Sequence, residues 1–92
     1  MALQKDYNFK GILVKNAYHR IYLGQCFKDI DGLFKLRFDV EISAVAGGDV
    51  IEVVNGYRAY TCVYDIVVTT NAITQAYNYL MTLPEYTGSV QV

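Results

Sequence analysis

Between residues 33 and 45 the chain reads LFKLRFDVEISAV, and apolar and polar residues alternate without a break. Phe34, Leu36, Phe38, Val40, Ile42 and Ala44 take the even positions, with Lys35, Arg37, Asp39, Glu41 and Ser43 between them. Successive strand side chains point to opposite faces, so this segment has one dry face and one wet face. A helix would scatter the same apolar residues around its circumference. The run exceeds the usual strand length of about 5–6 residues, which makes it the spine of a sheet. The charged blocks on its wet face read as solvation and cross-strand pairing.

Shorter strand-like runs flank the spine. NAYHRIYLGQCF, residues 16–27, is rich in aromatic and β-branched residues, and Asp31-Gly32 then supplies a turn. Residues 17–27 and 33–45 are therefore expected to form a hairpin. Upstream, NFKGILV reads as a short strand, with Lys15-Asn16 as the turn after it. Downstream, Gly47 and Gly48 end the spine, and IEVV and YRAYTCVYDI flank Asn55-Gly56. Asn-Gly between two β-rich runs signals a hairpin, because a type I′ turn needs φ > 0 at both central residues. Four short turns separating five strands force antiparallel neighbours, in a meander or a small twisted, barrel-like sheet.

One segment breaks the pattern. In NAITQAYNYLMTLPEY, residues 71–86, Ile73, Ala76, Tyr77, Leu80 and Met81 recur at helical spacing. Thr69, Thr70 or Asn71 can cap the start, and Pro84 disfavours helical geometry at Leu83. About a dozen residues do not hold a helix in isolation, so the apolar stripe must dock. The dry face of residues 34–44 is the nearest partner; a second subunit is the other. The expected fold is α+β, an antiparallel meander sheet of about five strands with one C-terminal α-helix packed on it, in a single domain spanning residues 1–92.

Composition narrows function mainly by exclusion. With 53% hydrophobic and 18% charged residues, the chain is apolar for its size, and nine tyrosines with no tryptophan suit half-wet surfaces. Cover from another subunit is one explanation. A net charge of −1 without a basic stripe argues against nucleic acid. No run approaches the ~18 apolar residues of a membrane span, and the opening MALQKDYNFK lacks the apolar stretch of a signal peptide. Cytoplasmic synthesis is expected, which leaves Cys26 and Cys62 as thiols, read as small buried residues of different strands; a disulfide is the alternative.

Two cysteines and one histidine fall short of four zinc ligands. His19 sits in a strand with no nucleophile or carboxylate at a motif-like spacing. Asp29 and Asp31 flank a turn, where Asp favours backbone hydrogen bonds. Asp39 and Glu41 share a strand face, and only a cleft would make them an acid–base pair. DIDGLFKL lacks the acidic series of an EF-hand, and AGGD alone is a turn. No catalytic, cofactor or metal site is assigned, and an enzyme is not expected. The remaining feature is aromatic: Tyr18 and Tyr22, like Tyr60 and Tyr64, share strand faces, with Arg20 and Arg58 interleaved. Tyr18, Arg20, Tyr22, Arg58 and Tyr60 are the candidate protein-interface residues, against ordinary sheet packing or sugar stacking.

Two patterns at the ends of the chain carry a resemblance. Gly11, Ile12, Val14, Ala17, Tyr18, Arg20 and Ile21 form the first. Ala76, Tyr77, Tyr79, Leu80, Thr82, Leu83, Pro84 and Glu85 form the second. Both are similar to small virion-associated structural proteins of tailed bacteriophages, over about a third of the chain. That family usually ends in Leu-Pro-Glu-Phe and an acidic–apolar tail; here Tyr86 replaces the Phe and GSVQV follows. The resemblance implies a non-enzymatic component of the tail, neck or baseplate, or of the head surface. It would be made in the host cytoplasm and assembled as a homo-oligomer with other virion proteins. The alternative is a phage-encoded binding or inhibitory module that engages a host protein or carbohydrate; a small enzyme subunit is a third, weaker reading.

Overall fold

The alternating spine becomes a strand flanked on both edges. A computed structural model describes residues 2–54, 60–66 and 71–92. Among these, β1 spans Leu3–Phe9, β2 Ile12–Lys28, β3 Phe34–Ser43, β4 Val50–Val54, β5 Tyr60–Val63 and β6 Val90–Gln91. The helix α1 spans Ala72–Met81 and is followed by a short 3-10 turn at Pro84–Tyr86. All strand pairings are antiparallel, so the α+β architecture with a single C-terminal helix is as expected. No helix among the described residues is long and apolar enough to cross a membrane.

The dry face of β3 is the centre of the core. Leu36, Phe38, Val40 and Ile42 are buried, joined by Leu3, Ala17 and Ile21 from β1 and β2 and by Tyr60 and Cys62 from β5. The β2–β3 hairpin forms at the expected turn. Gly32 takes φ +85°, and Ile30 N–H and Leu33 N–H donate to the carboxylates of Asp29 and Asp31. Lys35 Nζ bridges both carboxylates, at 3.3 and 3.1 Å, so its partners are in the turn rather than across the strands. Arg37 lies over the Phe27 ring, 4.7 Å from its centroid.

Two expected turns are corrected. The first reversal is at Lys10-Gly11, with φ +50° and +83°, so that Phe9 opposes Ile12 in a type I′ hairpin. Lys15-Asn16 does not turn the chain; β2 runs straight through it. The register steps from Lys5↔Ala17 to Tyr7↔Val14, which leaves Lys15 and Asn16 opposite Asp6 alone. This is a β-bulge, with Asn16 at φ +51° and its N–H donating to Asp6 Oδ1 at 2.8 Å. Asn16 uses the left-handed backbone that makes Asn a turn residue, but in an extra strand position.

The second correction concerns Asn55-Gly56, which itself lies outside the described residues. Among the described residues the flanking strands pair with β3 rather than with each other. Val54 opposes Val40 and Val50 opposes Ser43, while Tyr60 opposes Phe38 and Val63 opposes Lys35. Both β4 and β5 are therefore antiparallel to β3 and run the same way along one edge of it. The long spine gives each described run its own antiparallel partner, a tertiary choice that local propensity does not dictate. The tail also joins the sheet: β6 pairs with Leu3 and Gln4 of β1, and Ala2 and Val92 exchange backbone hydrogen bonds at 3.0 and 2.9 Å. The order is thus β4–β3–β2–β1–β6, with β5 following β4 along β3.

The helix starts where Asn71 Oδ1 accepts from Thr74 N–H at 2.9 Å, satisfying one of the free donors of its first turn. Ala76, Tyr77 and Leu80 are buried. Met81, assigned to the same stripe, is 42% exposed, at the far end of the helix. Docking is specific as well as apolar. Where β1 runs out beside β2, the N–H of Ile21 donates to Tyr77 Oη at 3.0 Å, so a buried donor is not left open. Tyr79 meets Phe38 edge-on at 6.4 Å. Gln75 exchanges two hydrogen bonds with the backbone of Asp65, at 2.9 and 3.0 Å.

Candidate functional site

The face of the sheet away from the helix is built from the positions the core does not use. On β2 these are Tyr18, Arg20 and Tyr22, which stand opposite Ser43, Glu41 and Asp39 of β3. On β4, Val50 and Val53 oppose Ser43 and Glu41. On the other side, Gln4 opposes both Tyr18 and Val90. Tyr18 is half-buried, Tyr22 is 54% exposed, Val50 46% and Val90 58%. The wet face of the spine thus continues sideways into valines and tyrosines.

A groove of about 470 Å³ crosses this outer face. It is lined by Tyr18, Arg20, Glu41 and Ser43, by Val50 and the Ala46–Gly48 loop on one side, and by Ala2 and Val92 on the other. On the opposite face, Tyr7 Oη of β1 donates to the carboxylate of Glu52 on β4, which closes that face from strand to strand. The sheet is thus bridged from β1 to β4 on the core side and carries a groove on the outer side, as the twist of strands allows. Loop geometry sharpens the groove. A side chain at Gly48 would crowd the loop, since a Cβ there would lie 2.8 Å from Val45 Cγ2 and 3.1 Å from the Val45 carbonyl oxygen, and Ser43 Oγ donates to the Gly48 carbonyl at 3.3 Å.

The five candidate interface residues separate. Tyr18, Arg20 and Tyr22 share the outer face of β2, and two of them line the groove. Tyr60 does not join them: it is 7% exposed and stacks on Phe38 at 5.6 Å, with 17° between the rings. Opposite Phe38 on β3 it points inward, a placement the β4–β5 track imposes and the hairpin reading concealed. Arg58 lies outside the described residues. Val50, Val53, Val90 and Val92 were not singled out from sequence, and Glu41 was weighed there only as one half of an acid–base pair with Asp39, which does not line the groove. For β4 the available signal was a strand apolar on both faces; for the tail, a β-branched pair two residues apart.

The other candidates resolve structurally. His19 is buried. Its Nε2 lies 3.1 Å from the Lys5 carbonyl and its Nδ1 3.1 Å from Tyr86 Oη. A carbonyl only accepts, so Nε2 carries the proton and Tyr86 Oη–H donates to Nδ1. Burial pulls the His19 pKa below its ordinary value, although the bond to the Lys5 carbonyl opposes this. Burial also pushes the Tyr86 phenol up. The hydrogen bond to Glu52 is the main reason the Tyr7 phenol rises to about 12. Cys26 and Cys62 are both free and oppose Leu36 from its two edges, so β3 separates them. Cys26, expected to be buried, is exposed; it follows the register shift between Leu23 and Gln25. No group of three or more His, Cys, Asp or Glu side chains converges among the described residues.

The hydroxyl that distinguishes Tyr86 from the Phe of the resemblance is therefore a fastener between the tail and β2. Tyr86→Phe leaves a buried imidazole nitrogen unpaired and is expected to cost about 1–3 kcal/mol, measured by urea unfolding. The pH dependence has a defined sign. The folded-state pKa of His19 is depressed, so below about 6.5 the unfolded chain binds the proton more readily. Stability should be full above that pH and fall as pH drops toward the folded-state value, and His19→Gln should flatten that slope in thermal melts between pH 7 and 5.

No protein-family model, curated protein or solved structure matches the chain.

Proposed function

We propose that the chain is a non-enzymatic structural protein of a bacteriophage virion, a tail, neck or baseplate component that works through protein–protein contacts and self-assembly. One observation carries this reading. The outer sheet face, which needs only charge and polarity to stay in water, instead presents Tyr18, Tyr22, Val50, Val53, Val90 and Val92 around Arg20 and Glu41. Exposed apolar surface rimmed by polar groups is characteristic of interaction sites. Tyr and Arg are the residues that carry the energy of such interfaces. The resemblance of the end-of-chain patterns to small virion proteins suggests the biological setting.

Two measurements test the reading. Light scattering across a concentration series should give masses above the monomer. Mass spectrometry of particles purified from infected cells should find the chain in multiple copies per virion. Absence from particles, with a monomer throughout, would leave the second reading: a module that engages a host protein or carbohydrate. The groove favours that alternative, since at about 470 Å³ it has the volume of a small-ligand site.

A further inference from the structure

We infer that the partner of the outer face is the same face of a second copy, packed sheet-on-sheet about a two-fold axis that brings Arg20 of each copy to Glu41 of the other. The inference rests on the self-assembly reading and specifies its first contact. Three observations lead to it.

The first is charge. Arg20 and Glu41 stand directly opposite each other on neighbouring strands and face the same way. Opposite charges so placed ordinarily pair. Yet the ion pairs among the described residues belong to Lys35, and Arg20 and Glu41 form none. A patch holding one cation and one anion side by side is complementary to itself after a two-fold rotation, which places each guanidinium against the other copy's carboxylate. A foreign partner would have to reproduce that pattern; a second copy already has it.

The second is shape. A twisted sheet surface is self-complementary about an axis along its strands, the raised part of one copy entering the hollow of the other. This is why twisted sheets pack face to face with strands within about 30° of alignment. The outer groove is that hollow, bounded by Val50 at one edge and Val92 at the other.

The third is position. Val50 and Val53 on one side, and Val90 and Val92 on the other, surround the Arg20–Glu41 row. Apolar residues around a desolvated polar centre exclude water from the charged contacts. Pairing through the β4 edge instead would leave the whole valine-bearing face in water. It would also set like charges against each other in a symmetric register centred on Glu52.

The test uses charge reversal on the intact chain. Arg20→Glu and Glu41→Arg each place like charges across the proposed contact, and each should weaken self-association about tenfold or more in sedimentation equilibrium. Mixing the two single variants should restore association as a mixed dimer, and the double variant R20E/E41R should associate with itself. Far-UV spectra should match the unaltered chain, because both side chains lie outside the core. If a reversal variant fails to fold, Val53→Lys supplies the second probe and should give the same loss. Association of the unaltered chain that is indifferent to all of these changes would overturn the face-to-face contact while leaving self-assembly standing. A strictly monomeric unaltered chain would remove both.

Discussion

Phe38→Ala is expected to be the most damaging single change, costing about 3–5 kcal/mol. Phe38 is fully buried at the middle of β3. Tyr60 stacks against it from β5, and Tyr79 meets it edge-on from the helix. Its loss removes apolar burial and two aromatic contacts at once and leaves a cavity between the sheet and helix layers. A domain of this length has only about 5–14 kcal/mol of stability, so the variant should lose about a fifth of it or more. Urea unfolding followed by tyrosine fluorescence reads this directly. A shift below about 1 kcal/mol would mean that the β5 track does not cover the spine.

Leu80→Ala is the second large effect, about 2–5 kcal/mol. Leu80 is fully buried on the docked face of α1. The helix is only 10 residues long and cannot persist without its sheet, so a weakened dock should also loosen what the helix anchors. The Tyr77 bond to Ile21 and the Gln75 bonds to Asp65 depend on that seat. The near-UV signal of the tyrosines should therefore weaken before the far-UV strand signal does. A cost below about 0.5 kcal/mol would place this face in solvent.

What could be read from the residues was whatever depended on neighbours in sequence. The alternation of residues 33–45 placed β3 and its buried face, although the strand ends at Ser43 and Ala44, expected on the dry face, is exposed; Asp31-Gly32 placed the β2–β3 turn, because both signals are local. Asn71 and Pro84 likewise bounded the helix. Lys15-Asn16 was misleading for a physical reason: a left-handed backbone serves a bulge as well as a turn, and only the strand opposite decides which. The runs beside Asn55-Gly56 each found a partner in β3 instead of in each other, and a partner outside the run is something local preference does not register. Tyr60 followed the same error, since an exposed hairpin residue became a core one when its strand moved to the spine. The outer face was half legible. Tyr18, Arg20 and Tyr22 share one strand, and their spacing shows it. Val50, Val53, Val90 and Val92 come from strands brought to both edges by pairing alone, so no stretch of sequence displays them as one surface.

The same pairing explains why the two ends matter together. The tail closes on β1 through Ala2 and Val92 and is fastened to β2 through Tyr86 and His19. That brings Val90 and Val92 onto the outer face and supplies the groove with its second wall. Acid conditions that disfavour buried neutral His19 would thus act on the edge of the proposed interface as well as on stability.

On the proposed reading one face of the sheet is covered from within by the helix and the other by a second copy. Solvent paramagnetic relaxation of side-chain methyl and ring signals, recorded from dilute to concentrated protein, tests it most directly. Leu36, Phe38, Val40, Ile42 and Leu80 should remain protected at every concentration. Tyr22, Val50, Val53 and Val90 should be strongly relaxed when dilute and become protected as concentration rises. Outer-face signals that stay equally accessible throughout, or core signals that the probe reaches in dilute protein, would contradict the account.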